Sequence, residues 1–424
     1  MPLQIADNQV IERHFFSNAR LESASHKAAL RILVKGHESA ESANTTDKPI
    51  TTDPDWDAIR RDFPTTEKYI YLDIARKAIL PREVENAFHA WISNVYDGAG
   101  MDAFSMENIE VTRGKVADLF GASPHNIALI KNTSEGINII AQGFPFESGD
   151  NVVISEFEHQ ANIFPWRHLR SKGVEIRWVR PDAQGRVTLD CYTPLVNDRT
   201  RILSAAWVAY GNGFRTDIPA LSEFCRKRGI KLVVDGIQAV GVLSIPLKEL
   251  GADVLVAGGH KAQFSTAGAG FMYASEDMIP MITPPYASKF SFTSDDKMQE
   301  DPVLANDAHR FEYGNPNFLG IWIQSHSADY LKKIGLANIE ARVKKLTTYL
   351  INRAEEKEIS VVTPGDWNER AGIVGLKIKN PAAIVEKLKD QNIIVSARDS
   401  YLRASVHFYN TKDELDRYLD VVRA

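Results

Sequence analysis

Two short segments carry side chains that could act together on one small molecule. Asp235 lies at the end of the apolar run LVVDG, and Gln238 follows three residues after Asp235. His260 and Lys261 follow the run ADVLVAGG. Because ligands of parallel sheets bind beyond the carboxyl ends of the strands, two such runs in consecutive strand–helix units would bring these residues to one cleft. Each half has an ordinary alternative: an aspartate there also caps helices, and a single lysine is usually a solvated charge.

Taken together, the two segments match the requirements of pyridoxal phosphate. This cofactor needs a lysine amine for a Schiff base, a carboxylate that keeps its pyridine nitrogen protonated, and a site for its phosphate group. Thr133 and Ser134, in NTSEGINIIAQGF, place two hydroxyls at the start of a predicted helix, where free N–H groups favour an anion. Simple N-capping is the alternative interpretation of these two residues.

The segments around these residues alternate between strand-like and helix-like patterns from about residue 56 onward. RTRILSAAWV and IKLVVDG read as buried strands. Between them, IPALSEFCRKRG has Ile218, Leu221, Phe224 and Cys225 at helical spacing and Gly229 at its end. Further strand-like runs are NIALIKN, DNVVISE, VEIRWVR and ADVLVAG. This alternation predicts an α/β fold with a mainly parallel sheet flanked by helices.

The composition of the 424 residues excludes several classes of protein. The 50 Lys and Arg against 55 Asp and Glu give a net charge of −5, which does not suggest nucleic-acid binding. No apolar run reaches the roughly 18 residues of a membrane span, and we read no signal peptide. The two cysteines, Cys191 and Cys225, form no CxxC pair and predict neither a disulfide framework nor a structural zinc site. We therefore expect a cytoplasmic protein without a metal, a membrane or a nucleic acid as partner.

Changes of pattern along the chain predict three regions. Residues 1–55 read as an N-terminal extension, with an amphipathic helix between Asn8 and about Val34 and then a polar linker. Residues 56–325 read as the large cofactor-binding domain, whose first residues are expected to join the small domain. Residues 326–424 begin with one long predicted helix, ADYLKKIGLANIEARVKKLTTYLINRAEEK. The strand-like runs ISVVT, AGIVGLKI, NIIVSA and RASVHFY follow it, and they predict a smaller C-terminal α+β domain.

Six blocks in this order resemble the class V aminotransferase family of fold-type I pyridoxal phosphate enzymes. That family includes cysteine desulfurases, selenocysteine lyases and isopenicillin-N-epimerase-like proteins. The blocks are NTSEGIN, SEFEHQANIFPW, VVDGIQAVG, AGGHK, RFEYGNPN and RASVHFYNT, and the resemblance covers residues 56–424. It implies a seven-stranded, mainly parallel sheet and a homodimer with shared active sites that acts on a small amino acid.

The resemblance also implies roles for the residues of the predicted cofactor site. Lys261 would form the Schiff base and move the proton of the substrate Cα, and Asp235 would pair with the pyridine nitrogen. Gln238 would approach the phenolic oxygen of the cofactor. His159, in EFEHQAN, would stack on the cofactor ring, although a histidine in this position could also be an ordinary surface residue.

The phosphate of the cofactor would be held from two subunits. Thr133, Ser134 and His260 would hold it within one subunit. The loop FEYGNPN would reach the site of the neighbouring subunit, where many relatives carry a threonine at the position of Asn315. The amide of Asn315 could donate the corresponding hydrogen bond.

Substrate binding is implied by two arginines near the C-terminal strands. Arg403 matches the arginine that binds the α-carboxylate in this family, and a planar guanidinium can hold a carboxylate by two charge-assisted bonds. Arg398 is the second candidate for this contact.

The sequence departs from its relatives at three places. Tyr210 stands where desulfurases have an asparagine that contacts the cofactor. Arg76 and Lys77 stand at the expected mouth of the site and suggest a second anionic group on the substrate, with two solvated cations as the alternative. Neither cysteine lies in the region where desulfurases carry their nucleophile, and VSARDSYLRAS is too short for the loop that bears it.

From these observations we expect an enzyme that removes the Cα proton of an amino acid and then follows aminotransferase-type chemistry. A lyase, an epimerase or a carbon–carbon bond-forming enzyme on the same scaffold is the alternative. A catalytically silent scaffold protein is a third hypothesis, although such a protein has no use for a Schiff-base lysine. The positions of the cysteines argue against a cysteine desulfurase.

Overall fold

A seven-stranded sheet forms the centre of the structure, a computed structural model that describes residues 54–398 and 401–423. The predicted helix between Asn8 and Val34 and the linker behind it lie outside these residues. The strands, in chain order, are β1 (Ile70–Tyr71), β2 (Ile127–Ile130), β3 (Asn151–Ser155), β4 (Glu175–Val179), β5 (Thr200–Ala206), β6 (Lys231–Asp235), β7 (Val254–Gly258), β8 (Gly270–Ala274), β9 (Ile373–Lys377), β10 (Ile393–Ile394), β11 (Ser396–Arg398) and β12 (Tyr401–Ser405).

The central sheet has the strand order β2-β8-β7-β6-β5-β3-β4. Strand β8 runs antiparallel to both of its neighbours, and the pairs among β3 to β7 are parallel. Alternate residues of β6 enter different cores, since Leu232 and Val234 belong to one hydrophobic cluster and Val233 belongs to another. The sheet is therefore covered on both faces, and the predicted α/β fold with a mainly parallel, seven-stranded sheet is confirmed.

Helices connect and cover the strands. One example is the predicted helix after β5, which spans Ile218–Arg226; Asp217 caps it by accepting a bond from the Ala220 N–H at 3.0 Å, and Gly229 follows it with a positive φ of 67°. The α-helices are Trp56–Arg61, Thr65–Lys68, Arg82–Asp97, Met106–Leu119, Thr133–Gly143, Gln160–His168, Leu189–Tyr192, Ile218–Arg226, Leu247–Leu250, Phe318–Ile334, Leu336–Glu356, Pro381–Lys389 and Lys412–Arg423. In the described part of the chain, no helix is both long and apolar enough to span a bilayer.

The predicted single helix after residue 326 is two helices in the structure. Phe318–Ile334 ends and Leu336–Glu356 begins at Gly335, which has a φ of 87°. Glycine adopts this backbone conformation without the clash of a Cβ atom, so it separates two helices that the apolar spacing alone predicts as one. The predicted strand ISVVT is also reduced, to an isolated bridge between Val361 and Leu376.

A second, smaller sheet has the order β11-β12-β9 and is antiparallel. Near it, β1 pairs in parallel with β10, and Asp73 forms a bridge with Ser405. The first residues of the described chain thus contact its last strands. The predicted domain boundaries near residues 55 and 325 stay a prediction.

Candidate functional site

The strand ends of the central sheet meet at a cleft of about 480 Å³. Asp235 is the last residue of β6, and Lys261 lies three residues beyond the end of β7. The cleft brings together most of the predicted site residues, namely Arg76, Thr133, Ser134, His159, Tyr210, Asp235, Gln238, His260, Lys261, Arg398 and Arg403. Asn315 does not line this cleft; it lines a separate, small cavity with Lys131 and Tyr313.

Lys261 presents its amine to this cleft from the turn after β7. Burial lowers the pKa of Lys261 to about 8, and the nearby charges of Arg403 and Arg398 act in the same direction, while Asp235 and Asp73 oppose them. About a tenth of the amine is therefore uncharged at pH 7, far more than for a lysine of ordinary pKa. Only the uncharged form can attack a carbonyl or accept a proton.

Asp235 places a buried carboxylate at the floor of the cleft. Burial raises its pKa, whereas the hydrogen bond from the Ile237 N–H, at 3.0 Å, and the charge of Lys261 lower it. A buried carboxylate needs a cationic or N–H partner, because an isolated charge away from water is costly. The group thus suits a ligand that brings a protonated ring nitrogen.

The predicted anion site lies at the N-terminus of the helix Thr133–Gly143. Asn132, rather than either hydroxyl residue, caps this helix, by accepting a bond from the Glu135 N–H at 3.0 Å. The Gly258 N–H donates to Thr133 Oγ1 at 3.3 Å, which ties the hydroxyl to the end of β7 and leaves its proton free to donate. N-capping therefore does not account for Thr133 or Ser134, and a helix N-terminus with free hydroxyls fits a phosphate.

The ring of His159 lies at the opening of the cleft, at the N-cap of the helix Gln160–His168. Its Nδ1 accepts a bond from the Ala161 N–H at 3.1 Å, which leaves the proton of the neutral ring on Nε2. Burial and the positive charge of Lys261 lower the pKa of His159. The edge of Tyr210 contacts the ring at a centroid distance of 5.3 Å and an angle of 85°. A neutral, oriented imidazole of this kind can pack against a flat ring.

Gln238 and His260 complete the predicted cofactor residues. The Gln238 Nε2 donates to the backbone carbonyl of Ala75 at 2.9 Å, and this bond fixes its amide beside the cleft. Burial and the charge of Lys261 lower the pKa of His260, so its ring is neutral at physiological pH.

The two candidate arginines have different surroundings. Arg403 is only 1% exposed; its Nη1 donates to the Tyr210 carbonyl at 2.8 Å, and its Nη2 donates to Asp73 Oδ1 at 3.1 Å. The Arg403 Nε has no hydrogen-bond partner among the described residues. Arg398 is partly exposed to the cleft, and one of its nitrogens donates to the Ala397 carbonyl at 2.7 Å. Both guanidinium groups therefore keep N–H groups for an anion.

Two buried carboxylates near the cleft were not predicted from the sequence. Asp73 follows β1 and is 1% exposed; besides the Arg403 bond it accepts one from Ser396 Oγ at 2.6 Å. Glu158 directly precedes His159 and is 8% exposed. Asp73 belongs to the motif YLDIARK and Glu158 to the motif EFEHQAN, and both motifs contain predicted site residues. The spacing of apolar residues around them does not indicate that the two carboxylates are buried.

Comparisons with known proteins agree with this fold. The model of the family "Aminotransferase class-V" matches residues 70–418. A probable cysteine desulfurase of Methanothermobacter thermautotrophicus is 29% identical over 84% of this chain and 94% of its own length. The structure of a cysteine desulfurase from Thermococcus onnurineus is 26% identical and superposes with a TM-score of 0.78 over 87% of this chain and 97% of its own. A C-DES variant with glycine covalently linked to its PLP cofactor shares the fold at 20% identity, with a TM-score of 0.77 over 86% of this chain and 98% of its own.

These relatives contradict our expectation about the reaction. The sequence predicts aminotransferase-type chemistry and argues against a cysteine desulfurase, whereas the relative from M. thermautotrophicus is named a probable cysteine desulfurase and that from T. onnurineus a cysteine desulfurase. The roles predicted for Lys261, Asp235 and His159 concern the removal of a Cα proton, which precedes both reactions, so these residues do not distinguish them.

The cofactor, in contrast, is as predicted. The cleft supplies a lysine amine of lowered pKa, a buried carboxylate and an anion site with free hydroxyls, which are the groups that pyridoxal phosphate requires. The fold, the cleft and the family match together show that the chain belongs to the class-V aminotransferase family of pyridoxal phosphate-dependent enzymes.

Proposed function

We propose that this protein removes the sulfur atom from cysteine or from a closely related amino acid. The observation that carries the proposal is a cleft with the Lys261 amine, whose pKa is about 8, and the buried Asp235 carboxylate, in a chain whose relatives are named cysteine desulfurases. When bound, pyridoxal phosphate withdraws electrons from the substrate Cα through its protonated ring. Lys261 then takes the Cα proton and holds it beside the substrate.

The residues around the cleft would divide the work of binding. Asp235 would keep the proton on the ring nitrogen, Gln238 would donate to the phenolic oxygen, and His159 would pack on the ring face. The helix N-terminus at Thr133, with Ser134 and His260, would hold the phosphate. This assignment is supported by the free hydroxyls of the first helical turn and by the neutral state of both histidines.

The α-carboxylate of the substrate would bind to Arg403 and Arg398 together. Arg403 donates hydrogen bonds to the Tyr210 carbonyl and to Asp73, and these two bonds support its orientation in the cleft. Arg398 offers the more accessible guanidinium. Tyr210, whose carbonyl accepts from Arg403 and whose ring contacts His159, would connect the substrate contact to the ring contact.

The sulfur would leave on a thiol from another molecule. Cysteine and a thiol R–SH give alanine and the persulfide R–S–SH: the Cβ–S bond breaks, an S–S bond forms, and the thiol proton ends on the new methyl group. Neither cysteine of the chain lines the cleft. Cys225 is buried, which raises its pKa to about 12, and the Sγ of Cys191 contacts the Thr188 hydroxyl at 3.6 Å. A buried thiol of high pKa is a poor nucleophile.

A homodimer would complete each site. Asn315 lies with Lys131 and Tyr313 around a cavity separate from the cleft of its own subunit, which supports a contact to the phosphate in the partner's site. A cytoplasmic location, where small thiols are abundant, agrees with this chemistry and stays a prediction.

A comparison of amino acids tests the proposed reaction. The enzyme loaded with pyridoxal phosphate should consume cysteine in the presence of 2-mercaptoethanol and should leave alanine and aspartate unchanged. Lys261→Ala should bind the cofactor with the absorption of the free aldehyde, without the red-shifted band of the Schiff base, and should consume none of them. Consumption of alanine or aspartate with release of a keto acid would contradict sulfur removal.

A further inference from the structure

Glu158 is a buried carboxylate next to the site residue His159, and it accepts hydrogen bonds from strand β5 and from the helix Gln160–His168. The Ala206 N–H at the end of β5 donates to Glu158 Oε1 at 2.7 Å, and Asn162 Nδ2 donates to Glu158 Oε2 at 3.1 Å. Asn162 is on the helix that His159 caps, and its backbone N–H donates to the His159 carbonyl at 2.8 Å. Glu158 thus joins the turn that carries His159 to the central sheet.

The orientation of the Asn162 amide is fixed by its other contacts. Trp166 Nε1 donates to Asn162 Oδ1 at 3.1 Å, and Ser204 Oγ donates to the same oxygen at 2.8 Å. Because an indole N–H can only donate, the oxygen of the Asn162 amide must face Trp166 and its NH₂ group must face Glu158. Both Glu158 oxygens therefore meet N–H groups that cannot accept a hydrogen bond, and the ionised carboxylate fits this site better than the acid does.

Several charges act on Glu158. The pKa of Glu158 is raised to about 7. Burial is the largest cause and the charge of Asp235 acts in the same direction, whereas the two N–H donors lower the pKa. Asp235 is close because it pairs with Ala206 in the sheet register. Tyr192 and Arg398 line a small cavity together with Glu158, and the pKa of the buried Tyr192 phenol lies well above its ordinary value, chiefly through burial and with a contribution from Glu158. The two N–H donors therefore stabilise the ionised carboxylate, whereas burial and the charge of Asp235 destabilise it.

We propose that Glu158 is a positioning residue, whose ionised carboxylate fastens the His159 turn to β5 and thereby holds the imidazole against the cofactor ring. The inference rests on the proposed function, through the contact of His159 with that ring. Protonation of Glu158 puts an O–H against an N–H donor, removes one of the two bonds and releases the turn. Cofactor affinity should consequently fall as the pH drops below about 7.

Glu158→Gln tests this role, because glutamine has the same shape but replaces one acceptor oxygen of the carboxylate with an NH₂ group, which can only donate. Its amide can satisfy only one of the two N–H groups, so the variant imitates the protonated acid at every pH. Glu156→Gln, which changes an exposed carboxylate two residues earlier, is the matched control. The readouts are the dissociation constant of pyridoxal phosphate between pH 6 and pH 9, the circular dichroism of its absorption band, and the thermal unfolding of the cofactor-free chain.

We expect Glu158→Gln to bind the cofactor about tenfold more weakly above pH 7, the effect of one lost charge-assisted hydrogen bond. Its dissociation constant should lack the step near pH 7 that the wild type and Glu156→Gln show, while all three proteins keep the step near pH 8 that the titration of Lys261 produces. A dissociation constant of Glu158→Gln with the same step near pH 7 as the wild type would overturn the inference. So would a loss of affinity at all pH values that matches a general loss of thermal stability.

The outcome is separable from that of the proposed function, because none of these readouts requires turnover. If the wild type releases no sulfur but the pH step is present and depends on Glu158, the proposed reaction fails and the positioning role stands. If sulfur is released and the step is absent, the positioning role fails alone.

Discussion

Arg403 and Asp73 form an ion pair with 3.1 Å between Nη2 and Oδ1, and both side chains are almost completely buried. The pair connects Asp73, two residues after β1, to the middle of β12. Arg403 therefore keeps its position without a substrate. Binding of a carboxylate does not have to orient this guanidinium, which reduces the entropy lost on binding.

Asp73→Asn should destabilise the protein, because it leaves the Arg403 charge buried without its partner. The expected loss is about 3 kcal/mol in the free energy of unfolding, measured by urea denaturation of the cofactor-free chain. Asp198→Asn, at an exposed carboxylate, should change it by less than about 0.5 kcal/mol. Equal unfolding midpoints for the two variants would show that the buried pair does not stabilise the fold.

The rate of cofactor uptake should follow the titration of Lys261. The pKa of this amine is lowered from 10.5 to about 8, and only the uncharged amine can attack the aldehyde of the cofactor. The rate at which the visible band forms after mixing should therefore rise with pH and level off above about 8. Lys261→Ala should form no such band. A midpoint near the ordinary lysine pKa of 10.5 would mean that the cleft does not depress this group.

Arg76 provides a test of the substrate's charge. Its exposed side chain lines the cleft, whereas the neighbouring Lys77 does not. If the natural substrate carries a second acidic group, Arg76→Ala should lower kcat/KM for cysteine sulfinate about tenfold, the value of one charge-assisted contact, and should change kcat/KM for cysteine little. Lys77→Ala should affect neither substrate. An unchanged ratio between the two substrates in Arg76→Ala would leave Arg76 as a solvated cation.

Much of the fold and of the cleft could be predicted from the sequence, because both depend on local patterns. The apolar runs around Asp235 and Lys261 identify buried parallel strands, and parallel strands put their carboxyl ends at one edge. Contacts between distant segments could not be predicted in this way. The pairing of Asp73 with Arg403 joins residues 330 positions apart, and the Ala206 N–H that donates to Glu158 comes from a strand 48 positions away.

The reaction was predicted incorrectly for a different physical reason. The residues that remove a Cα proton are the same whether nitrogen or sulfur is transferred afterwards, so Lys261 and Asp235 do not distinguish these outcomes. The positions of Cys191 and Cys225 indicate only whether a cysteine of this chain can accept the sulfur. They do not indicate whether the Cβ–S bond of the substrate breaks.

The products formed from cysteine test the central claim most directly. The cofactor-loaded enzyme is incubated with cysteine and 2-mercaptoethanol, and alanine, pyruvate, 3-mercaptopyruvate, ammonia, sulfide and persulfide sulfur are quantified, for the wild type and for the variant that combines Cys191→Ser with Cys225→Ala. The account predicts one alanine for each sulfur atom recovered as persulfide or, after a second thiol molecule has reduced the persulfide, as sulfide. The rates should rise with thiol concentration and be similar in both proteins. Formation of 3-mercaptopyruvate with the cofactor left in its amine form, formation of pyruvate together with ammonia and sulfide, or loss of alanine production in the cysteine variant would contradict it.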